Sequence, residues 1–216
     1  MTKNSKWQDE YWLLLMQLYL QKPTGVKPIY SKAMVDLSLE LHIEPHALFN
    51  KMCQIANLET PRIEHFWELY GQNPRKLKRA VNLLREMWGF NNALEFYDGV
   101  ETNESFEKDF KPIADHTSLT PVMLILILDL YFRLTPITMV TETPEVQELA
   151  KQLKVTPQEV VMVMAAFQCC DPYLNRKDEA VDAALLQACQ QVWRRYGNDN
   201  PENLASFAEQ LIEYYK

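Results

Sequence analysis

The chain has 216 residues, 47% of them hydrophobic and 24% charged, with a formal net charge of −7. That balance belongs to a globular chain with a real core and excludes disordered, collagen-like and fibrous classes. Five glycines are too few for a turn-rich β architecture or for a set of phosphate-cradling loops.

Taken in order, residues 7–21 place Trp12, Leu15, Met16 and Tyr19 at three- and four-residue spacing, which predicts a helix with one buried face. Residues 22–28, with Pro23, Gly25 and Pro28, break it. Ser31 is the expected N-cap of a second helix running to Leu41, with Met34, Leu37, Ser38 and Leu41 inward. After the turn at His42, Ile43 and Glu44, Pro45 opens a third helix whose inward side is Leu48, Phe49, Met52 and Ile55. Residues 61–70 form the fourth. The fifth, over residues 73–88, turns Leu77, Ala80, Val81, Leu84 and Trp88 to the core.

The second half follows the same order. A shift of 112 residues sets Leu14, Leu18, Tyr19, Leu37, Leu41, Pro45 and Met52 on the identical Leu126, Leu130, Tyr131, Leu149, Leu153, Pro157 and Met164. The offset then widens to 126 at Trp67/Trp193 and Tyr70/Tyr196 and to 127 at Pro74/Pro201, with the extra residues assigned to 171–184. Internal duplication is the reading of this pattern. The most visible shared phrase runs from Trp67 through Gly71, Asn73 and Pro74 to Leu77, and again from Trp193 through Gly197, Asn200 and Pro201 to Leu204. Gly71 and Gly197 are expected at positive φ where a helix ends, and the Asn-Pro pairs as an N-cap followed by a first-turn proline. The expected fold is therefore all-α, a tandem duplication of a roughly five-helix unit: repeat 1 over residues 1–90, a connector over 91–119, and repeat 2 over 120–216. Phe96, Tyr97, Phe106 and Phe110 make the connector too aromatic for a free linker, so it is expected to pack.

Within each repeat, Leu37-Ser38-Leu39-Glu40-Leu41-His42-Ile43-Glu44-Pro45 and Leu149-Ala150-Lys151-Gln152-Leu153-Lys154-Val155-Thr156-Pro157 set a small residue before a tight turn. An aliphatic residue follows in the next helix, Leu48 or Val160. These stretches, within residues 31–57 and 143–167, resemble the helix-turn-helix superfamily. The resemblance implies a trihelical core and, where it extends to function, a second helix in a DNA major groove. In the second copy that helix reads Val160-Val161-Met162-Val163-Met164-Ala165-Ala166-Phe167, apolar all round, and is expected to be buried rather than to read bases.

Charge separates the copies. Residues 1–90 carry 12 Lys and Arg against 9 Asp and Glu, a net +3, whereas residues 91–119 and residues 120–216 each carry −5. A 3.6-residue period gathers Arg75, Lys78, Arg79, Asn82 and Arg85 opposite the core stripe of the fifth helix; their counterparts are Glu202, Ala205, Ser206, Glu209 and Ile212. Such a basic face suits phosphates or an acidic protein surface, and the connector, at −5, is an intramolecular candidate to dock beside it, with exposed pairs of about 0–1 kcal/mol each orienting the contact. His46, Asn50 and Lys51 are the polar residues left on the third helix for closer contacts.

Signals for chemistry are few. The sequence holds no P-loop, dinucleotide fingerprint, G-x-S-x-G or H-E-x-x-H. His42 and His46 stand four apart, but the turn and Pro45 between them spoil a helical metal pair. Cys53, Cys169, Cys170 and Cys189 show no C-x-x-C spacing and read as reduced, buried thiols. No cofactor, metal or catalytic residue is expected. The first residues lack the apolar stretch of a secretory leader, and the run from Val122 to Leu128 is far short of the roughly 20 residues of a membrane span. A cytoplasmic, non-catalytic binding or regulatory protein is the leading expectation, working through protein contacts, with no membrane partner and with self-association open. The alternative is nucleic-acid binding through the basic face, using Arg75, Lys78, Arg79 and Arg85 with His46, Asn50 and Lys51. A third reading is an enzyme with a pocket between the repeats.

Overall fold

A computed structural model of the chain describes residues 7–87, 90, 106–174 and 181–216. Among the described residues it holds ten α-helices and no strand, so the fold is all-α. The chain divides into two units, Met1–Glu104 and Ser105–Lys216. No helix among the described residues is long and apolar enough to cross a membrane.

The first unit contains α1 (Tyr11–Leu20), α2 (Lys32–Leu41), α3 (Pro45–Asn57), α4 (Pro61–Phe66) and α5 (Pro74–Glu86). Helix α1 is the hub, packing on each of the other four. Its role requires burial on more than one side, and Trp12, Leu14, Leu15, Met16 and Leu18 are all buried. A single amphipathic stripe was the expectation for this segment. The helix instead starts at Tyr11 and hides most of its circumference, while Tyr19 is only half-buried.

Two left-handed residues make the tight joints. His42 ends α2 at φ 53°, where the Ile43 amide reaches back to the Ser38 carbonyl at 3.1 Å; Leu58 ends α3 at φ 49° in the same way, with the Glu59 amide on the Gln54 carbonyl at 3.2 Å. The fully buried Ser38 hydroxyl donates to the Ile43 carbonyl, so a small polar residue both admits the neighbouring helix and satisfies the turn. Ser31 stands at the N-cap of α2, but its buried hydroxyl makes no capping bond; Thr60 and Asn73 do cap α4 and α5, accepting from the Ile63 and Lys76 amides.

Helix α4 does not run on regularly to Tyr70. It widens into a π-helical turn over Trp67–Gly71. There the Trp67 ring meets the Tyr19 ring edge-on, centroids 5.9 Å apart, and rests on Gly71. Past this turn, α5 points Leu77, Val81 and Leu84 inward, with Ala80 half-buried; Trp88 lies outside the described residues.

The second unit begins with a strap, a short 3-10 helix at Phe106–Phe110 and a bridge between Ile113 and His116. It continues with α6 (Pro121–Arg133), α7 (Pro144–Leu153), α8 (Pro157–Cys170), α9 (Ala183–Tyr196) and α10 (Pro201–Leu211), and closes with a 3-10 turn at Ile212–Tyr215. Here α6 is the hub, touching α7, α8, α9, α10 and the strap, and every residue from Leu124 to Leu128 is buried. Helix α7 ends at Lys154 with φ 60°, and the Val155 amide bonds the Ala150 carbonyl at 3.0 Å. Helix α8 has no exposed side chain from Val160 to Cys170, because α6, α7 and α9 all pack on it. Of the aromatic connector, Phe106 and Phe110 are half-buried and Phe110 meets Tyr214 edge-on; Phe96 and Tyr97 lie outside the described residues.

The expectation that Gly71 and Gly197 adopt positive φ fails. Neither does so, and Gly197 is helical at φ −68°, ψ −20°. Their need for glycine is steric: a Cβ on Gly71 would lie 3.0 Å from the Trp67 ring, and one on Gly197 only 2.6 Å from the Trp193 ring. Replacing Gly197 by alanine gains about 1 kcal/mol of helix propensity but overpacks a seated ring at about 1–3 kcal/mol. Gly197→Ala should therefore lower stability by up to about 2 kcal/mol, and Gly71→Ala should cost clearly less. Urea unfolding of the two full-length variants checks this, and a stabilised Gly197→Ala chain would rule out the ring contact as the reason for glycine.

Candidate interaction surface

The basic residues expected on the outer face of α5 do not behave as one set. Arg75, Lys78 and Arg79 are exposed and, with Asn82, Leu83 and Glu86, line a shallow surface depression along the helix. None of the three cations forms an ion pair among the described residues. Arg85 is turned away: its guanidinium grips the Glu40 carboxylate of α2 through Nε and Nη2 at 2.6 and 2.8 Å. This bidentate pair fastens α5 to α2 and withdraws Arg85 from the face.

The three α3 residues are also separate. Helices α3 and α5 each pack on α1 without substantial contact with each other, so His46, Asn50 and Lys51 do not join the α5 cations. His46 and Asn50 are exposed, and the His46 ring lies edge-on to Tyr30. The Lys51 ammonium sits over two tryptophan rings, 5.2 Å from Trp7 and 5.1 Å from Trp12, where it is held by cation–π attraction.

Two apolar side chains extend the α5 surface, and sequence periodicity passed them over. Leu83 is 55% and Met87 60% exposed. A signal was present, since both lie off the Leu77-Val81-Leu84 stripe at a helical spacing of four. On α10 the corresponding surface is acidic, with Glu202, Ser206 and Glu209 exposed and Ala205 and Ile212 half-buried.

A cluster in the second unit was not visible from the sequence. His116 Nε2 lies 3.1 Å from Asp182 Oδ2, and the Ser118 hydroxyl donates to Glu159 Oε1 at 2.5 Å. A serine, a histidine and two carboxylates are thus neighbours, but the serine is bonded to Glu159 instead of the histidine. Both carboxylates have structural work. Asp182 caps α9 by accepting the Leu185 amide, and Glu159 completes a capping box with Thr156 at the start of α8. The cluster staples the strap to two helix N-termini. Asp109 completes the staple with a bidentate ion pair to Arg195, both contacts 2.7 Å.

The thiols are free, Cys189 buried and the other three half-buried. Burial pushes Cys170 up to about 11 and raises Cys189 as well, which disfavours the thiolate a nucleophile needs. Burial, then the 2.9 Å bond to Asp171, likewise raises the Tyr131 phenol.

No family model matches the chain, and neither curated proteins nor solved structures return a match.

The staple has a pH consequence. The Leu185 amide and then His116 hold the Asp182 carboxyl below its ordinary value; the Ser118 hydroxyl and then the Thr156 amide do the same for Glu159. Groups depressed in the folded chain contribute stability that is fully present above the unfolded carboxylate range and is lost as pH falls through the lower folded values. The second unit should lose stability progressively below about pH 4.5. Asp182→Asn and Glu159→Gln should each lower stability at pH 7 and flatten that acid limb. Unfolding midpoints between pH 7 and 2.5 measure both effects, and an acid limb unchanged in the double variant would remove the staple from the explanation.

Proposed function

We propose that the chain is a non-catalytic binding protein of the cytoplasm that acts through protein contacts, built from two copies of one helical unit whose outer faces have diverged. The observation that carries this reading is the pairing of like interiors with unlike exteriors. Tyr19 meets Trp67 at 5.9 Å and 77°, and the repeat-equivalent Tyr131 meets Trp193 at 6.0 Å and 76°. Leu77, Val81 and Leu84 are buried on α5, as are Leu204, Ala208 and Leu211 on α10. The left-handed His42 and Lys154 stand at equivalent joints, and the small buried Ser38 and Ala150 precede them by four residues. Against this common interior, the exposed side of α5 is basic and that of α10 acidic.

A change of charge on the outer face above a similar apolar interior suits a role in surface contacts, since core positions are constrained by packing whichever partner is bound. Support for a helix-turn-helix type of core comes from the α2–α3 and α7–α8 joints. Support for groove reading is weaker, because α8 has no exposed side chain from Val160 onward and Lys51 of α3 is engaged by tryptophans.

In-cell cross-linking of the full-length chain followed by mass spectrometry should recover a protein partner at a constant ratio to the bait. Recovery of the chain alone, or of nothing, would sink the reading. One observation favours nucleic-acid binding as a second reading, namely that Arg75, Lys78 and Arg79 of α5 are exposed without an ion-pair partner among the described residues. It requires an affinity for labelled duplex DNA or RNA that falls steeply between 50 and 200 mM salt, conditions under which several released counterions change affinity by orders of magnitude. Weak, salt-independent binding would dismiss it.

A further inference from the structure

We infer that the outer face of α5 is a docking surface for an acidic amphipathic segment of a partner protein, one that sets carboxylates against Arg75, Lys78 and Arg79 and apolar side chains against Leu83 and Met87. The inference rests on the protein-contact reading above and adds the place and the chemistry of the partner.

The face has two halves that ask for different things. At its N-terminal end, Arg75, Lys78 and Arg79 crowd three positive charges into little more than one helical turn, exposed and without ion-pair partners among the described residues. Like charges so close repel one another, and an incoming anion relieves that repulsion as well as adding its own attraction. Toward the C-terminal end, Leu83 and Met87 expose 55% and 60% of their surface. Leu83 lies in the last turn of α5 and Met87 is the extended residue that ends it, so the two form an apolar strip at this end of the helix. Among the described residues neither half has an internal partner, and α5 meets its own unit through Leu77, Val81 and Leu84 and through the Arg85–Glu40 pair.

Charge complementarity fixes the sign of the partner, and the apolar strip selects its class. A nucleic-acid backbone would use the cations but leave Leu83 and Met87 facing phosphates and water. An acidic peptide with apolar side chains uses both halves. It buries the leucine and the methionine, whose flexible thioether adapts to varied partners. Asn82, exposed between the halves, is available for a hydrogen bond to the partner.

The test uses the full-length chain and three labelled probes in fluorescence anisotropy. One is a synthetic 18-residue acidic helix with glutamates on one side and leucines at every third or fourth position. The second is the same peptide with its leucines replaced by serine, and the third is a 20-base-pair DNA duplex. The amphipathic peptide is expected to bind at least tenfold more tightly than the serine peptide and more tightly than the duplex. Arg75→Glu/Arg79→Glu and Leu83→Ser/Met87→Ser should each weaken it by tenfold or more, with unfolding midpoints reported alongside, since all four positions are exposed and the variants should fold. Charge-reversed Lys154→Glu, on the second unit, should leave binding unchanged. Absent peptide binding, equal binding of the serine peptide, preference for the duplex, or loss only in the second-unit variant would overturn the inference. A chain that recovers a partner by in-cell cross-linking yet fails here keeps the broader reading and loses this surface; a chain that fails both loses both.

Discussion

Each unit depends on a tryptophan ring wedged between a tyrosine of the hub helix and a glycine four residues further along its own helix. In the first unit the wedge is Tyr19, Trp67 and Gly71; in the second it is Tyr131, Trp193 and Gly197. A side chain four residues later crowds the ring, because that position lies directly above it on the helix surface. Once seated, the ring fixes where its helix stops relative to the hub. An asparagine cap and a proline then launch the final helix within a few residues, so the wedge also determines how the Leu77 and Leu204 stripes meet α1 and α6. In the second unit the wedge is larger, since Phe132 and Phe167 also pack on Trp193, consistent with the closer approach to Gly197.

This explains what was legible in the sequence. The inward faces of α2 and α5 follow from spacing, and the burial of α8 from its being apolar all round; the prolines and asparagines that start helices are local signals with local causes. The role of the glycines was misread because a glycine at a helix end has two physical uses, tolerance of positive φ and absence of a Cβ, and one sequence cannot say which applies. The left-handed conformation went instead to His42, Leu58 and Lys154, whose turns are held by backbone bonds to the preceding helix. Circumferential burial of α1 was hidden too, since an amphipathic pattern records polarity while burial is decided by how many neighbours arrive. Of the candidate surface, the cluster of Arg75, Lys78 and Arg79 was readable from a 3.6-residue period. The capture of Arg85 by Glu40, 45 residues away, and of Lys51 by Trp7 and Trp12 was not, because these partners meet only after folding.

The staple on the strap shows the same distinction in the second unit. Asp109 and Arg195 are 86 residues apart and His116 and Asp182 are 66 apart, yet they tie residues 106–119 to the helices. Solvent-exposed pairs of this kind contribute about 0–1 kcal/mol each. Their effect is chiefly to choose one arrangement of a segment whose apolar anchors, Ile113 and Leu119, are already buried. Electrostatics here selects a position, and burial stabilises it.

That division of labour bears on why charge is spent differently in the two units. In the second, Arg195, Asp109, His116, Asp182 and Glu159 all answer to internal partners. In the first, Arg85 is consumed in the same manner, whereas Arg75, Lys78 and Arg79 answer to none among the described residues. Three adjacent exposed cations destabilise an isolated helix slightly through mutual repulsion, and α5 would lose nothing of its core by exchanging them for neutral residues, since Leu77, Val81 and Leu84 face the other way. A charge cluster with no ion-pair partner among the described residues, beside an exposed Leu83 and Met87, is therefore a feature that the buried stripe of α5 does not require.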